Sequence, residues 1–235
     1  MTDMTIDTDN LINSITATFA RMNYIDSADI PEIDLYMDQV TAFLDERLKK
    51  SVRNKTDERL MTKTMINNYA KNDVIPPPTK KKYSKEHILE LIMIFYFKSF
   101  LQINDIKELM DPINEAFFAK EGDFDLEDIY KGIFDKKGAE LGELLKDVTE
   151  KYEASRDSFK DAPEDSRDYL QLFDFVCMLG CDVFVKKLLI EKIVDSIREH
   201  RVSEQNKYDV RPEKAKHNSK EAEKARRKED NHADK

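Results

Sequence analysis

The stretch Met61-Thr-Lys-Thr-Met-Ile-Asn-Asn-Tyr-Ala-Lys-Asn-Asp-Val-Ile-Pro-Pro-Pro-Thr-Lys-Lys-Lys-Tyr-Ser84 decides how the first half of this chain folds. Its residue pattern predicts a short helix over 63–71, a stop at 72–73, a turn rich in proline and lysine, and a second helix that begins at Ser84. Thr62 carries the side-chain hydroxyl that an N-cap requires. A short helix followed at once by a basic turn is therefore the first structural prediction.

The predicted helix has two different faces. Met65, Ile66 and Tyr69 lie three or four residues apart and share one apolar face. Lysine, threonine and asparagine side chains occupy most of the other positions and point away from it. Beyond the helix, 74–75 and 82–83 are expected to pair as a short β-ribbon around three prolines, which cannot donate to a strand ladder and suit a loop.

A slim polar helix beside a lysine-rich turn fits double-stranded DNA. Such a helix can enter the major groove, and each lysine at the turn can neutralise a phosphate. Asparagine offers a donor and an acceptor together to the edge of an adenine, which lysine does not. The residues expected to contact DNA, from the recognition helix 62–71 and the wing 76–83, are Lys63, Thr64, Asn67, Asn68, Lys71, Lys80, Lys81 and Lys82.

The distribution of charge also favours a polyanionic partner. The whole chain carries a formal net charge of -9. Between Lys49 and Lys85, however, eleven Lys and Arg stand against three Asp and Glu, a net of +8. The tail from Val202 carries +2, so the remainder carries -19. This asymmetry can focus a polyanion onto one face. Lysines on a merely solvated face would give the same count, so charge alone does not decide.

The composition indicates a mostly helical protein with at least one good core. The chain has 235 residues, of which 40% are hydrophobic and 37% charged, with 5 Gly and no Trp. Few glycines leave few tight turns. Charged residues interrupt the longest apolar runs, 88–101 and 169–185, so neither predicts a membrane span. The acidic N-terminus is unlike a signal peptide, and a cytoplasmic protein is expected.

The remaining pattern predicts further helices. They are expected at Leu11–Met22, from about 32 or 34 to Leu48, from Ser84 to about Phe100, from Asn104 to about Met110, and at Ile113–Lys120, Phe124–Phe134, Ala139–Lys160 and Arg167–His200. Asp111-Pro112 is interpreted as a cap followed by a proline at the first helical position. The tail after Arg201 has almost no apolar residues and is expected to be disordered or a frayed single helix. The fold class is therefore all-α with one small β-hairpin wing.

Residues 65–84 resemble the DNA-binding head of MerR-type regulators. That family follows a Thr-Leu-Arg-Tyr-Tyr recognition helix with a Gly-Leu-Leu-Pro turn, a wing that ends in Tyr-Arg-x-Tyr-Ser, and a further helix. The residues that match in type and order are Ile66, Tyr69, Val74, Ile75, Pro76, Tyr83 and Ser84. The chain departs from the family at Asn67 and Asn68, where the family has Arg and Tyr, and at Lys80-Lys81, where it has Tyr-Arg. The resemblance implies a winged helix-turn-helix with Leu35–Leu48 and Lys63–Lys71 as its two helices.

The span from about Ile30 to Leu189 is similar to an uncharacterised bacterial family, the domain-of-unknown-function 1836 family. Its members share a Leu-Tyr-Met-Asp-Gln-Val helix, found here at Leu35–Val40. They also share the run Thr-Lys-Thr-Met-Ile-Asn-Asn-Tyr, found here at 62–69. This resemblance implies a DNA-binding regulator of transcription.

No motif in the chain predicts catalysis. No glycine precedes Gly122, which excludes a glycine-rich phosphate loop from the first half, and no paired-histidine zinc motif or nucleophile elbow follows. Cys177 and Cys181 lie among apolar residues and are interpreted as core side chains rather than metal ligands or redox sensors, because two ligands cannot complete a tetrahedral site within one chain. His87 is interpreted as a helix-start residue rather than a DNA contact. No enzyme activity, cofactor or metal is predicted.

Together these features predict a sequence-specific, DNA-binding transcriptional regulator. The expected parts are an N-terminal helical extension (1–29), a MerR-like winged helix-turn-helix (30–110), a helical companion and dimerisation region (111–200) and a charged tail (201–235). A homodimer is expected because a single head reads only a few base pairs, with Tyr169–Ile197 as its candidate surface. The alternative is a helical protein-protein interaction adaptor that uses the same basic face without DNA.

Overall fold

The computed structural model of this chain describes residues 25–49, 60–120, 122–134 and 137–209, together with positions 10, 13, 14 and 17. Within these residues the fold is mostly helical, and the predicted all-α class with one small β element is confirmed. The elements in chain order are a 3-10 helix Ser27–Asp29, β1 Leu35–Tyr36, α1 Met37–Leu48, α2 Lys63–Lys71, β2 Lys82–Tyr83, α3 Lys85–Phe97, α4 Ile103–Phe117, α5 Leu126–Phe134, α6 Lys137–Arg156 and α7 Glu164–Asp209. Most of the predicted helix 11–22, the connection 50–59 and the tail beyond 209 lie outside the described residues.

The chain divides into two compact units, Met1–Glu191 and Lys192–Lys235. Of the second unit, the structure describes the helical residues 192–209, in which Arg198 pairs with Asp195 at 2.8 Å. The first unit contains every other described element, including the candidate site. The boundaries predicted from sequence at 30, 111 and 201 stay predictions.

Local hydrogen bonds fix both ends of α2. At its start, the Met65 N–H donates to the Thr62 side-chain oxygen at 3.2 Å, which makes Thr62 the N-cap as predicted. At its end, the Val74 N–H donates to the Tyr69 carbonyl at 2.9 Å, and Asp73 has a φ of 54°. This is a Schellman motif, in which one left-handed residue stops the helix. The helix therefore has the bounds that its sequence predicts.

The partner of β2 is β1, and the predicted pairing of β2 with 74–75 is wrong. The two strands are antiparallel, with Leu35 opposite Tyr83 and Tyr36 opposite Lys82. Residues 74–75 are buried in the main hydrophobic core instead. The physical reason is that a Schellman motif turns the apolar residue after its left-handed position back toward the helix. The side chains of 74–75 are therefore used for packing.

The main core surrounds α3. Its central residues, 87–95, are all buried, and a helix that is apolar on nearly every side belongs inside a core. From α1, Val40 and Leu44 pack into this core without any exposed surface. From α5, the buried Tyr130 hydroxyl donates to the Ile25 carbonyl at 2.7 Å. One central helix therefore positions α1, α2, β2 and α5.

The helix α4 is continuous, whereas the sequence predicts two helices that meet at Asp111-Pro112. It runs from Ile103 through Pro112 to Phe117. A proline removes one backbone hydrogen bond from a helix, but Ile106 and Met110 are buried and hold this segment in the core. Packing of one face of α4 against the core thus keeps the helix continuous through the proline.

A second, smaller core joins α6 and α7. It contains the buried Val148, Tyr152 and Phe175, with Leu172 and Leu179 packed against them. The helix α7 continues beyond its predicted end at 200. None of the helices in the described part of the chain has the length and apolar content that crossing a membrane requires.

Candidate nucleic-acid interface

One face of α2 is polar and exposed. Its exposed residues are Lys63, Thr64, Asn67, Asn68 and Lys71. On the opposite face, Ile66 and Tyr69 are buried in the main core, and this burial raises the pKa of the Tyr69 hydroxyl. The division between the two faces is the predicted one. The five polar side chains therefore reach solvent from one short, rigid element.

A tight turn at Thr79–Lys82 presents the other candidate lysines. The Lys82 N–H donates to the Thr79 carbonyl at 3.0 Å, and the central residues Lys80 and Lys81 have φ values of 51° and 65°. Two successive positive φ values are typical of a type I′ turn, which prefers Asn-Gly. Lys80 and Lys81 are exposed, and Lys82 is half-buried. Two lysines thus occupy positions that cost about 1 kcal/mol or more each for a residue with a side chain.

The turn and α2 meet at the junction between β1 and α1, which we call the α1 corner (residues 36–38). The Lys63 ammonium forms an ion pair with Asp38. The Lys82 ammonium lies 5.2 Å from the centre of the Tyr36 ring, within the range of a cation–π interaction. At 1.5 Å per residue, Lys71 lies about 12 Å further along the axis of α2. The candidate residues therefore extend outward from one corner and do not form a pocket.

Two lysines outside the predicted set hold α2 in place. Beyond its end, Lys107 donates to the Asp73 carbonyl at 2.7 Å. Before its start, Lys98 donates to the Leu60 carbonyl at 3.1 Å, and its ammonium lies 5.1 Å from the centre of the Phe95 ring. Burial lowers the pKa of Lys98. These two lysines support the position of α2 and are already engaged by the protein.

Lys85, at the start of α3, is neutralised by acidic neighbours. Its ammonium lies 2.6 Å from the Glu32 carboxylate and 2.7 Å from the Glu127 carboxylate. Lys131 pairs with Glu127 as well, at 2.8 Å. Burial acts to raise the pKa of Glu127, but hydrogen bonds from Lys131 and Lys85 outweigh it and lower this pKa to about 2. Lys85 therefore contributes little to the positive field of the candidate site.

Sequence reasoning missed two exposed apolar side chains near the α1 corner. Ile33 is 70% exposed and Tyr36 is 54% exposed. Leu35 points inward and Tyr36 outward, as successive residues of a strand do. The sequence prediction assigned these residues to the start of one amphipathic helix, and the alternation Leu35-Tyr36 was the signal against it.

His87 belongs to the start of α3 and does not face the candidate interface. Its Nδ1 accepts a hydrogen bond from the Ser84 N–H at 3.1 Å and lies 2.9 Å from the Ser84 hydroxyl oxygen. The buried ring lies 5.4 Å from the Tyr83 ring and 4.7 Å from the Phe118 ring, between centroids. Burial lowers the pKa of His87 and so favours the neutral ring. The predicted helix-start role fits this geometry.

Cys177 and Cys181 are exposed on α7, so their interpretation as core residues is wrong. Their apolar neighbours in the sequence led to that interpretation, but only part of the apolar surface of α7 packs against α6. Within the ranges that the structure describes, no group of three or more His, Cys, Asp or Glu side chains is placed to hold a metal ion.

The fold and the site thus define a mostly helical protein with a polar, lysine-rich surface around one corner. Residues 25–133 match the model of a family described as Domain of unknown function (DUF1836). The resemblance to that family is therefore confirmed over this span, which includes all eight candidate contacts and excludes α6 and α7. No curated protein and no solved structure matches the chain.

Proposed function

We propose that this protein is a sequence-specific, DNA-binding transcriptional regulator that contacts double-stranded DNA through α2 and the turn at Thr79–Lys82. The observation that carries the proposal is the α1 corner, where Lys63 of α2 and Lys82 of the turn contact neighbouring residues. Two basic elements that are separate in sequence thereby share one surface. In the architecture that we propose, α1 and α2 are the two helices of a MerR-like winged helix-turn-helix, and residues 76–83 form its wing.

The backbone of the turn supports a role for its lysines in binding. Asn-Gly would adopt the positive φ values of the turn with less strain than Lys80-Lys81. Strained backbone is often found at functional positions. The two ammonium groups at the tip of the turn suit binding to DNA, because each can neutralise a phosphate and release a counterion.

The exposed face of α2 supplies the groups that distinguish bases. A side-chain amide can pair with an adenine through one donor and one acceptor, and Asn67 and Asn68 both reach solvent. Thr64 and Lys71 lie on the same helix and suit phosphate oxygens, and Lys63 reaches a phosphate by exchanging its ion pair with Asp38. The division is the usual one, in which phosphate contacts position the protein and base contacts select the sequence.

The salt dependence of DNA binding tests the proposal. The logarithm of the binding constant falls with the logarithm of salt concentration by about 0.9 for each phosphate neutralised. We expect the full chain to bind duplex DNA with a steep slope. The Lys80→Asn/Lys81→Gly variant keeps the turn and removes two charges, so it should lose roughly two from that slope. Fluorescence anisotropy between about 50 and 200 mM salt measures both values.

The matched control is Lys146→Ala/Lys160→Ala. It removes the same charge from exposed side chains outside α2 and the turn, so its slope should equal that of the unmodified protein. If the control and the turn variant reduce the salt dependence equally, DNA binding depends on the overall charge of the protein and not on the turn. Absence of DNA binding at low salt would exclude the regulator altogether.

Asn67 is expected to read one base. Asn67→Ala should relax the preference at one position of the binding site by about 1–3 kcal/mol. Lys71→Ala should instead weaken binding to all sequences by a similar factor, because phosphates carry no sequence information. Selection of sites from random duplexes, followed by sequencing, measures both effects. An unchanged site preference for Asn67→Ala removes this residue from the reading set.

A helical adaptor that binds a protein partner is the second candidate. The exposed Ile33 and Tyr36 favour it, because aromatic and apolar anchors beside a charged rim are typical of protein interfaces. The adaptor would bind DNA weakly and with no preferred site. The salt titration and the site selection therefore separate the two functions.

A further inference from the structure

One side of α7 is an exposed apolar stripe. It consists of side chains that are between 54% and 66% exposed, namely Tyr169, Phe173, Val176, Val183 and Phe184. At about 100° per residue, Tyr169, Phe173, Val176 and Phe184 lie between about 100° and 180° around the helix from Phe175, which packs on α6, and Val183 lies at about 80°. A single exposed apolar residue is ordinary, but a contiguous row of this kind marks an interaction surface.

The spacing along the stripe is that of a helix–helix seam. From Tyr169 to Phe173, Val176, Gly180 and Val183 the steps are four, three, four and three residues. This alternation keeps one row of side chains facing a neighbouring helix over several turns. The inner face of α7 already has its partner in α6, so the stripe is directed to a second helix.

Gly180, in the middle of the stripe, is not required by packing against any described part of the chain. A Cβ at this position would meet no heavy atom of the described residues within 4 Å, and its φ is not positive. Glycine inside a helix lowers helix stability relative to alanine, and no close contact with the described residues requires a glycine here. It does allow the backbone of another helix to approach closely. Cys177 and Cys181 beside it are also small and exposed.

A second copy of the same helix fits this surface when it runs antiparallel. The small residues at the centre, Cys177, Gly180 and Cys181, are flanked by the large rings of Phe173 and Phe184. Crossing two copies between 180 and 181 places Phe184 of each opposite Cys177 of the other, so that this large ring faces a small side chain.

The charges along α7 also favour an antiparallel arrangement of the two copies. Residues 164–174 contain four Asp and Glu and one Arg, whereas Lys186 and Lys187 lie at the other end of the stripe. An antiparallel pair brings unlike ends toward each other, and a parallel pair would align like charges.

We propose that this stripe is the interface of a homodimer in which two α7 helices cross in antiparallel orientation at Gly180. The interface is isologous, because the same surface of each copy meets the other around a two-fold axis. The inference does not rest on the proposed contact with DNA, and its test contains no nucleic acid.

Sedimentation velocity of the full chain over a concentration series is the test. The unmodified protein should reach twice its mass of 27.6 kDa. Phe184→Glu and Gly180→Leu should each weaken the dimer at least tenfold. Gly180→Leu is the sharper variant, because leucine has open space in the monomer and favours helix. Its helical circular dichroism and melting temperature should therefore stay equal or rise while the dimer is lost.

Val185→Glu is the matched control. Val185 is 62% exposed, as Phe184 is, but it lies about 100° further around the helix. The control should keep the mass of the unmodified protein. A chain that stays at 27.6 kDa at every concentration overturns the proposal. So does a dimer that survives both stripe variants, or one that Val185→Glu disrupts equally.

Discussion

Glu90 lies in the middle of α3 with no exposed surface. Neither of its carboxylate oxygens has a hydrogen-bond partner within the described part of the chain. Burial, with a smaller contribution from Glu86, raises the pKa of Glu90 to about 9 from a reference value of 4.5. The folded protein therefore holds this carboxyl group protonated at pH 7, whereas the unfolded chain releases the proton. Between pH 4.5 and 9 the unfolded state binds fewer protons, so stability falls as pH rises.

Replacing Glu90 should make the protein more stable at neutral and alkaline pH. At about 1.4 kcal/mol for each pH unit above the unfolded pKa, the unmodified protein loses roughly 3 kcal/mol by pH 7. Glu90→Met fills a similar volume without an ionisable group. We expect it to raise the free energy of unfolding at pH 7 to 8 by a few kcal/mol and little at pH 4.5. Urea unfolding across this pH range measures the difference.

An exposed carboxylate supplies the control for this measurement. Glu143→Met on α6 changes the same side chain where water solvates it, and the pH dependence should match that of the unmodified protein. Equal pH slopes for Glu90→Met and the unmodified protein would show that Glu90 finds a partner or water in solution.

Among the secondary-structure elements, the turn at Thr79–Lys82 combines strain with charge. Lys80→Asn/Lys81→Gly should stabilise the fold by about 1–2 kcal/mol, because both residues then suit a type I′ turn. Thermal unfolding measures the gain. The control Lys80→Ala/Lys81→Ala removes the same charges but keeps a Cβ at both positive φ values. This control should raise the stability of the fold only slightly. Equal stabilisation by the two variants would show that relief of charge repulsion, rather than of backbone strain, is the cause.

An element could be predicted from the sequence when the residues that determine it lie close to it in the chain. The bounds of α2 follow from Thr62 and from the residues around Asp73, all within one turn of its ends, and the sequence was sufficient. The partner of β2 was not predictable in this way, because β1 lies before α1 in the chain and consists of two residues. Pro112 also misled the sequence analysis, because packing of Ile106 and Met110 carries α4 through it.

For the molecule as a whole, the sequence located the basic surface but overcounted its charge. The stretch from Lys49 to Lys85 has a net charge of +8. Within it, Lys63 pairs with Asp38, and Lys85 pairs with both Glu32 and Glu127. These acidic partners come from distant parts of the chain, so no count along a segment includes them. The exposed side of α2 was nevertheless predicted correctly, because the period of a helix determines which of its sides is polar.

The short distance in sequence between the turn and the core has a mechanical consequence. Lys81 is exposed, Tyr83 is buried, and α3 begins at Lys85 with Ser84 and His87 as its cap. The pairing of β2 with β1 and this cap leave no slack between the tip and the central helix. A force applied to the tip of the turn is therefore transmitted to α3 rather than absorbed by the loop.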